Sequence, residues 1–241
     1  MSEILIINDL WGGYKADVDI LRGVSMKVMQ GEAVGIIGLN GSGKSTLGKA
    51  IMNMIPYRKG EIIFEDNDVF GLTTCQLSHC GISIMQQGGK VFQTLSAWDN
   101  LLLAMSKHSA KTLETLRGII PMLQVPKKEL QRMMSDKLSG GQKHQLSLAM
   151  TLATNPRLVI LDEPSAGLSP KAVDETYEIL QAVRNQLGLS IILIEQNIAR
   201  AINFCSRCLV LAHGQVIQKD HCEFKDIESL MYNHKIIDHE E

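Results

Sequence analysis

Nine consecutive residues decide the fold of this chain: Gly38-Leu39-Asn40-Gly41-Ser42-Gly43-Lys44-Ser45-Thr46. They match the phosphate-binding loop, in which a glycine is followed by four residues and then by Gly-Lys-Ser. The glycines let the backbone curl tightly, so that successive N–H groups point into one concavity that suits an anion. Lys44 adds a positive charge for the β and γ phosphates, and the Ser45 hydroxyl can bind Mg²⁺. The loop therefore predicts a protein that binds a nucleotide.

The sequence on either side of the loop agrees with this prediction. Residues 33–37 are an apolar run typical of a buried strand, and residues 45–54 have the pattern of a helix. Such a helix would place its N-terminus, with its partial positive charge, under the phosphates. A glycine-rich turn that matched the loop by chance would lack this strand and helix.

Length and composition limit the alternatives. The chain has 241 residues, of which 45% are apolar and 21% charged, so it can form one large domain or two small ones. A net charge of −2 gives no electrostatic reason to expect nucleic acid as a partner. No apolar run approaches the roughly 18 residues of a membrane-spanning helix, and residues 1–5 do not resemble a signal peptide. We therefore expect a cytosolic protein.

The five cysteines do not indicate a disulfide framework in a chain of this size. Cys205 and Cys208 have the C-x-x-C spacing, and His221 and Cys222 follow them closely. Small buried cysteines are the expected interpretation, and a zinc or redox site is the alternative.

Residues 3–37 have β-strand patterns. Val24, Met26 and Val28 alternate with residues of the other face, as expected of a strand with one face buried. Upstream, Tyr14 follows a pair of glycines. Its ring could stack on an adenine base or could pack at a sheet edge, and the stretch alone does not decide between them.

Residues 55–90 contain two further short strands. Pro56 and Gly60 indicate a loop, after which residues 61–65 alternate like a strand, and residues 82–85 form another. Gln87 follows this strand and precedes two glycines, so its side chain could reach a metal ion or a water molecule.

The segment from about residue 94 to 135 is predicted to be an all-helical insert, because its apolar residues have helical spacing. Its charged residues Lys127, Lys128 and Arg132 are interpreted as a solvated face rather than a nucleic-acid patch.

The stretch Leu138-Ser139-Gly140-Gly141-Gln142 precedes a helix predicted over residues 143–154. Its two glycines expose backbone N–H groups at the start of that helix, which makes a second anion site. One chain does not need two such sites for one nucleotide, whereas two chains facing each other could use both.

Residues 157–161 lead in a largely apolar run to Asp162 and Glu163. Such a strand suits the buried middle of a parallel sheet, whose ligands lie at the carboxyl ends of the strands. Asp162 could therefore hold Mg²⁺, and Glu163 could orient or deprotonate the attacking water. The alternative is an acidic turn.

The rest of the chain completes an α/β pattern. Ser169 and Pro170 predict the start of a helix over residues 171–187, which Gly188 ends. Strands are predicted over residues 191–194 and 208–211, with a helix over residues 199–204 between them.

Together these stretches resemble an ABC-type ATPase subunit over essentially the whole chain. Residues 138–142 match the signature motif of that family, and they lie between Gln87 and Asp162 as the family requires. The resemblance implies an α/β fold, the P-loop NTPase fold of an ABC nucleotide-binding domain, with an antiparallel β subdomain and an all-helical subdomain. It implies one domain, with an ATP-binding core of residues 1–92 and 150–241 and a helical signature subdomain of about residues 93–149.

The resemblance also implies the ligands and the site. Two cassettes would stack head to tail and bind ATP and Mg²⁺ between the phosphate loop of one and the signature residues of the other. Glu163 and Gln196 are the implied catalytic residues, and Ser45, Gln87 and Asp162 the implied Mg²⁺ residues. The residues implied to bind ATP are Tyr14, Gly38, Leu39, Asn40, Gly41, Ser42, Gly43, Lys44, Ser45, Thr46, Gln87, Ser139, Gly140, Gly141 and Gln142.

Two departures from the family pattern point to a branch. Gln196 stands where the family usually has a switch histidine, and Ser169 where it usually has an aspartate. Both variants resemble the ATP-binding subunits of branched-chain amino-acid and related uptake transporters. A neutral amide can hydrogen-bond a γ-phosphate oxygen but cannot shuttle a proton as histidine can, so proton transfer is assigned to Glu163. Gln86, where that branch often has an acid, departs from the pattern and weakens the inference about the substrate.

The implied function is ATP hydrolysis that drives uptake of amino acids or a similar small solute. The implied partners are a second ABC ATPase subunit, identical or not, membrane permease subunits and, indirectly, a secreted solute-binding protein, with no nucleic acid. The cassette would then be cytoplasmic and peripheral on the inner face of the cell membrane. The alternative is a soluble ABC ATPase that acts as an assembly or scaffold factor.

The segment from residue 87 to 105 has more apolar and aromatic surface than one short helix needs for its own domain. Part of it could form a groove that receives a short cytoplasmic helix of the permease. The alternative is that all six of these side chains belong to the core: Val91, Phe92, Leu95, Trp98, Leu101 and Leu102.

Overall fold

The computed structural model describes residues 2–16, 18–105 and 133–218. The chain forms two compact units, one of Met1–Thr74 with Ser190–Glu241 and one of Cys75–Leu189. A short 3₁₀ helix covers Ser135–Lys137. The described elements are, in chain order, β1 (Glu3–Gly13), β2 (Leu21–Met29), β3 (Ala33–Ile37), α1 (Lys44–Ile51), β4 (Tyr57–Phe64), β5 (Asn67–Asp68), α2 (Thr74–Cys80), β6 (Ile82–Met85), α3 (Ala97–Ala104), α4 (Gly140–Ala153), β7 (Leu158–Asp162), α5 (Pro170–Leu187), β8 (Ser190–Glu195), α6 (Ile198–Phe204), β9 (Arg207–Ala212) and β10 (Gln215–Gln218).

An antiparallel sheet in the first unit has the strand order β2-β1-β4-β5. The β-strand patterns read over residues 3–37 are confirmed, because β1, β2 and β3 all lie there. In β2 the side chains of Val24, Met26 and Val28 are buried, and Lys27 between them is exposed. The alternation therefore reports one buried face, as the sequence predicts.

The predicted loop from Pro56 to Gly60 is wrong, because β4 already begins at Tyr57. Gly60 lies inside this strand with a φ of +120°, and a Cβ atom there would lie 2.5 Å from the Asp9 carbonyl oxygen. The pairing of β1 with β4 changes register between Asn8 and Trp11, beside this glycine. Gly60 therefore permits a close backbone approach at a bulge rather than a loop.

Parallel strands of the first unit bring the phosphate loop to a sheet edge. β3 lies between β9 and β8 and runs parallel to both, and β10 adds an antiparallel strand beside β9. Every residue of β3 is buried, as expected of a strand covered on both faces. Ile37 pairs with Glu195 of β8 and with Val210 of β9. Residues 38 and 196 therefore both follow the carboxyl ends of neighbouring parallel strands.

Three details of the structure differ from the sequence prediction. Helix α1 ends at Ile51, whereas the pattern extends to Met54. The short strand β10, which pairs antiparallel with β9, is not predicted by the sequence. The same holds for α2, whose only buried residue is Leu77 and which therefore lacks a clear apolar face.

The second unit contains the parallel pair β6 and β7, in which Met85 lies opposite Leu161. Gln87 and Asp162 consequently follow neighbouring strand ends. Helix α5 confirms the predicted caps, since the Ser169 side chain accepts a hydrogen bond from the Ala172 N–H and Gly188 ends the helix in the left-handed conformation.

A buried amide holds the described part of the helical insert together. Asn100 is fully buried, and its Nδ2 donates hydrogen bonds to the carbonyls of Phe92 and Ser96 and to the hydroxyl of Ser135. Residues 106–132, with Lys127, Lys128 and Arg132, lie outside the described residues. The boundaries of the core and the helical subdomain therefore stay a prediction. Within the described ranges, none of the helices combines the length and the apolar character needed to cross a bilayer.

Candidate nucleotide-binding site

The phosphate loop depends on two glycines that no other residue could replace without strain. A Cβ atom on Gly38 would clash with the carbonyl oxygen of Leu211 and lie 2.7 Å from the Ser42 hydroxyl. Gly43 has a φ of +104° directly before helix α1. The first glycine therefore allows β9 to pack against the loop, and the second allows the sharp entry into the helix.

Lys44 lies folded over this loop. Its ammonium group donates hydrogen bonds of 2.8 Å to the Gly38 carbonyl and 2.7 Å to the Leu39 carbonyl, and the side chain is buried. The two carbonyl oxygens accept these hydrogen bonds and hold the Lys44 side chain beside the loop.

A cavity of about 260 Å³ lies beside the lysine. The hydroxyl of Ser42 is buried and, among the described residues, has no hydrogen-bond partner. A phosphate group would accept hydrogen bonds from loop N–H groups, from Lys44 and from such a hydroxyl, so the residues present fit a phosphate chain. The cavity is lined by Ile20, Asn40, Gly41, Gly43, Lys44, Ser45 and Thr46.

Tyr14 follows β1 in the same unit and is 47% exposed. The ammonium group of Lys49 lies 5.9 Å from the centroid of its ring and 3.5 Å from its hydroxyl. A ring with this exposure is accessible to a stacked base, one of the two alternatives that the sequence leaves open for Tyr14. Gln196 directly follows β8 and is exposed, and its N–H donates to the buried carboxylate of Glu195.

Asp162 and Glu163 lie at the end of β7 in the second unit, and both side chains are buried. The Nε2 atom of Gln87 donates a hydrogen bond of 2.5 Å to Oε2 of Glu163. Glu163 has a φ of +50°, which is uncommon for a residue with a side chain and is typical of functional sites. The structure thus joins Gln87 and Glu163, a contact that the sequence did not predict.

The oxygen atoms of these residues suit Mg²⁺. In the second unit, Asp162 offers a carboxylate and Gln87 an amide oxygen, and in the first unit Ser45 offers a hydroxyl. Mg²⁺ prefers oxygen ligands together with phosphates and water. No group of three or more histidine, cysteine or acidic residues that could hold a metal occurs in the described ranges. Each unit therefore offers oxygen atoms of the kind that Mg²⁺ binds.

The signature residues form a helix cap. The Ser139 hydroxyl accepts a hydrogen bond of 3.2 Å from the Gln142 N–H, and the Ser139 N–H donates one of 2.9 Å to Oε1 of Gln142. Helix α4 therefore begins at Gly140 and not at residue 143 as predicted. Ser139 and Gly140 are exposed, and added Cβ atoms on Gly140 and Gly141 would meet no other atom within 4 Å. This surface is open to a second molecule.

Of the six apolar residues considered for the groove, only Leu101 is buried. Phe92 is 53% exposed, so the alternative in which all six are core residues is wrong. The remaining four, Val91, Leu95, Trp98 and Leu102, are partly buried.

The C-x-x-C cysteines lie together against Gly35 of β3. Cys208 is buried and Cys205 partly buried, and both sulfur atoms approach the position that a Cβ on Gly35 would take. A hydrogen bond with Cys205 lowers the pKa of the Cys208 thiol from its usual value, against the opposing effect of burial. Cys208 packs in a buried cluster with Ile37, Ala201 and Val210, which agrees with the interpretation of these cysteines as small buried residues. His221 and Cys222 lie outside the described residues.

One buried residue of this region was not singled out from the sequence. His144 of α4 is buried, its side chain hydrogen-bonds the Pro164 carbonyl, and burial lowers its pKa from the usual value. A lone histidine in a helix gives no sequence signal for such a contact.

The sequence profile of the ABC transporter family matches residues 21–166. The chain belongs to the ABC transporter family. This cassette is 30% identical over 211 residues to a high-affinity branched-chain amino acid transport ATP-binding protein of Pseudomonas aeruginosa, with 86% of the chain and 88% of that relative covered. It is also 30% identical over 200 residues to a lipopolysaccharide export system ATP-binding protein of Escherichia coli, with 82% and 83% covered.

Solved structures agree. A nucleotide-free ATP-binding cassette from an ABC transporter superposes with a TM-score of 0.81 at 25% identity, and the match covers 98% of each chain. The chain is therefore an ABC ATP-binding cassette with the predicted α/β P-loop fold, and it is an ATPase whose hydrolysis is coupled to transport.

Proposed function

We propose that this cassette powers a membrane transporter that takes up amino acids or a similar small solute. The observation that carries this substrate class is the pair Gln196 and Ser169, two variants that resemble the uptake subunits for branched-chain amino acids. The P. aeruginosa relative, whose name specifies such transport, supports the same class. The cassette would act at the inner face of the cell membrane, bound to permease subunits that receive solute from a secreted binding protein.

Within the cassette, we assign a proposed role to each site residue. The phosphate loop and Lys44 bind the phosphates, and Tyr14 stacks on the adenine. Glu163 accepts the proton of the attacking water, while the hydrogen bond from Gln87 orients its carboxylate. Mg²⁺, held through Ser45, Asp162 and Gln87, would neutralise charge on the phosphates.

Gln196 is proposed to position the γ-phosphate. Its amide can donate a hydrogen bond to a phosphate oxygen but cannot take up a proton near neutral pH. The reaction therefore has a single proposed base, Glu163.

A second cassette, identical or not, completes the proposed site. Ser139, Gly140, Gly141 and Gln142 lie at the start of α4, where Ser139 and Gly140 are exposed, and backbone N–H groups at a helix start can bind an anion. We propose that they bind the γ-phosphate of a nucleotide held by the phosphate loop of the other subunit.

The segment from Gln87 to Met105 is the proposed permease contact. Phe92 and Leu103 are 53% and 59% exposed, so this segment presents two large apolar side chains to solvent. A short amphipathic helix of the permease would cover these side chains in a helix-in-groove arrangement.

Isolation of the intact complex tests the proposal. The tagged cassette is purified from detergent-solubilised membranes and reconstituted with its co-purified subunits into liposomes. We expect ATP-dependent accumulation of labelled leucine or a related amino acid when binding protein is supplied. Purification without any membrane subunit would favour the assembly-factor alternative and contradict the transport proposal.

Export is a second candidate, because the E. coli relative is named as part of a lipopolysaccharide export system and is equally identical. The same preparation distinguishes the two. Stimulation of ATP hydrolysis by lipopolysaccharide, with no effect of amino acids and binding protein, would replace uptake by export.

A further inference from the structure

The signature helix carries a buried histidine that reaches the segment after Glu163. His144 lies on α4 and is 3% exposed, and its side chain hydrogen-bonds the carbonyl of Pro164. Its Nε2 atom is buried and, within the described residues, has no hydrogen-bond partner. The bond to Pro164 is therefore made by Nδ1, which must carry the proton because a carbonyl can only accept.

The backbone of the same residue packs against the loop that carries Gln87. Gly89 has a φ of +58°, and a Cβ atom there would lie 2.9 Å from the His144 Cα and 3.2 Å from its backbone nitrogen. Backbone atoms of a helix cannot rotate away as the end of a side chain can. The close approach therefore fixes the distance between this loop and α4.

These contacts close a ring around the carboxylate of Glu163. Gln87 hydrogen-bonds Glu163, which is bonded covalently to Pro164, and Pro164 accepts the hydrogen bond of His144. The backbone of His144 contacts Gly89, two residues after Gln87. Glu163 has a φ of +50°, a conformation that persists only where the surroundings hold it. The ring of contacts holds Glu163 in this conformation through Gln87 on one side and through Pro164 on the other.

We propose that His144 is a positioning residue for ATP hydrolysis. By holding the Pro164 carbonyl, it fixes the backbone of Glu163, so that the carboxylate keeps the orientation set by Gln87. His144 contacts no reacting atom in this arrangement and acts only through Pro164. The proposal rests on the role of Glu163 as the general base.

Two substitutions separate a positioning role from a merely structural one. The side-chain amide of asparagine can place an N–H close to the position of the histidine Nδ1–H, so His144→Asn retains the donor, whereas His144→Leu fills a similar space and removes it. We expect His144→Leu to lower kcat about tenfold or more, because small displacements of catalytic groups are costly, with KM for ATP nearly unchanged. His144→Asn should keep most of the wild-type kcat. Leu148→Ala, a buried position on the same helix, should lower Tm without lowering kcat.

A pair of glycine variants tests the same ring without touching the histidine. Gly88 and Gly89 have φ values of +84° and +58°, so alanine strains the backbone at both positions. Only at Gly89 would the new methyl group meet His144, because a Cβ on Gly88 would meet nothing within 4 Å. Gly89→Ala should therefore lower kcat several-fold more than Gly88→Ala.

Three results would overturn the proposal. They are a wild-type kcat in His144→Leu, equal losses of kcat in the asparagine and leucine variants, and equal effects of the two glycine variants. Glu163→Gln serves as the reference. If Glu163→Gln still hydrolyses ATP, the assignment of Glu163 as the base is wrong, and the positioning role of His144 is rejected with it. If Glu163→Gln loses hydrolysis but His144→Leu is unaffected, only the role of His144 is rejected.

Discussion

Gln87 and Glu163 are joined by a hydrogen bond of 2.5 Å, from Nε2 of the amide to Oε2 of the carboxylate. Both side chains belong to the same compact unit, and each follows the end of one of two paired strands, β6 and β7. A bond from a neutral donor to an ionised acceptor is stronger than one between neutral groups. The loop proposed to contact the permease is thus bonded directly to the proposed base.

Glu163→Gln should abolish turnover while leaving ATP binding nearly intact. The amide oxygen can still accept the hydrogen bond of Gln87, so the shape of the site is kept, but the amide cannot take a proton from water. Loss of a general base lowers rates by roughly 10²- to 10⁴-fold. Phosphate release and ATP affinity are the measurements, and size exclusion with ATP should show a trapped dimer. Turnover near that of the wild type would remove Glu163 from this role.

Lys44→Ala should instead weaken ATP binding. The substitution removes a charge that is held over the phosphate loop by the carbonyls of Gly38 and Leu39. Loss of a charge-assisted bond to phosphate should raise Kd by about tenfold or more. Lys59→Ala, an exposed lysine of β4, is the matched control and should leave Kd unchanged. Equal affinities of the two variants would contradict the loop assignment.

Ser139→Arg should disable hydrolysis without weakening nucleotide binding to the isolated chain. Ser139 is exposed at the start of α4, so a large charged side chain there would obstruct only the surface offered to another cassette. ATPase activity of the purified dimer and Kd of the monomer are compared with those of Gln181→Arg, at an exposed position of α5. Unchanged activity in the Ser139 variant would reject a site shared between two cassettes.

Phe92→Ala and Leu101→Ala should have opposite effects. Phe92 is 53% exposed, so its loss should leave Tm and basal ATPase nearly normal and uncouple transport in the reconstituted complex. Leu101 is fully buried, and Leu→Ala in a core costs about 2–5 kcal/mol, which should lower Tm markedly. A large stability loss in Phe92→Ala, with normal coupling in the folded fraction, would place that residue in the core and remove it from the permease contact.

Stability should depend on pH through His144. Burial lowers the pKa of His144 below the ordinary value of 6.5, with the Pro164 hydrogen bond acting in the opposite direction. The unfolded chain therefore binds a proton more readily than the folded one, so stability is full above pH 6.5 and falls as the pH drops below it. Thermal melts at about pH 7.5 and pH 5.5 should show a larger drop in Tm for the wild type than for His144→Asn. Equal drops would mean that His144 does not contribute to acid sensitivity.

Most of the fold could be predicted because it depends on local patterns. The alternation in β2, the apolar runs of β3, β7 and β8, and the caps of α5 each lie within one short stretch of sequence. Gly60 could not be interpreted correctly, because its role arises from a bulge in β1, some fifty residues earlier in the chain. Short elements such as α2 and β10 were missed, since few of their residues form a recognisable buried face.

The features of the candidate site can likewise be divided into those that the sequence predicts and those that it does not. The phosphate loop and the two acids carry motifs, and the resemblance to a family assigns their roles. The bond from Gln87 to Glu163 and the contact of His144 with Pro164 depend on how distant segments pack, which no single stretch encodes. These contacts can be identified only in the three-dimensional structure.

The exposed ring of Tyr14 has a consequence for nucleotide specificity, that is, for the preference between ATP and GTP. A flat aromatic face attracts any purine, because stacking depends on the area of the base and not on its exocyclic groups. The triphosphate, which is the proposed ligand of the phosphate loop, is the same in ATP and GTP. If Tyr14 and the phosphate loop bind the nucleotide as proposed, the cassette would distinguish the two purines only weakly, and the relative abundance of ATP and GTP in the cell would determine which one is hydrolysed.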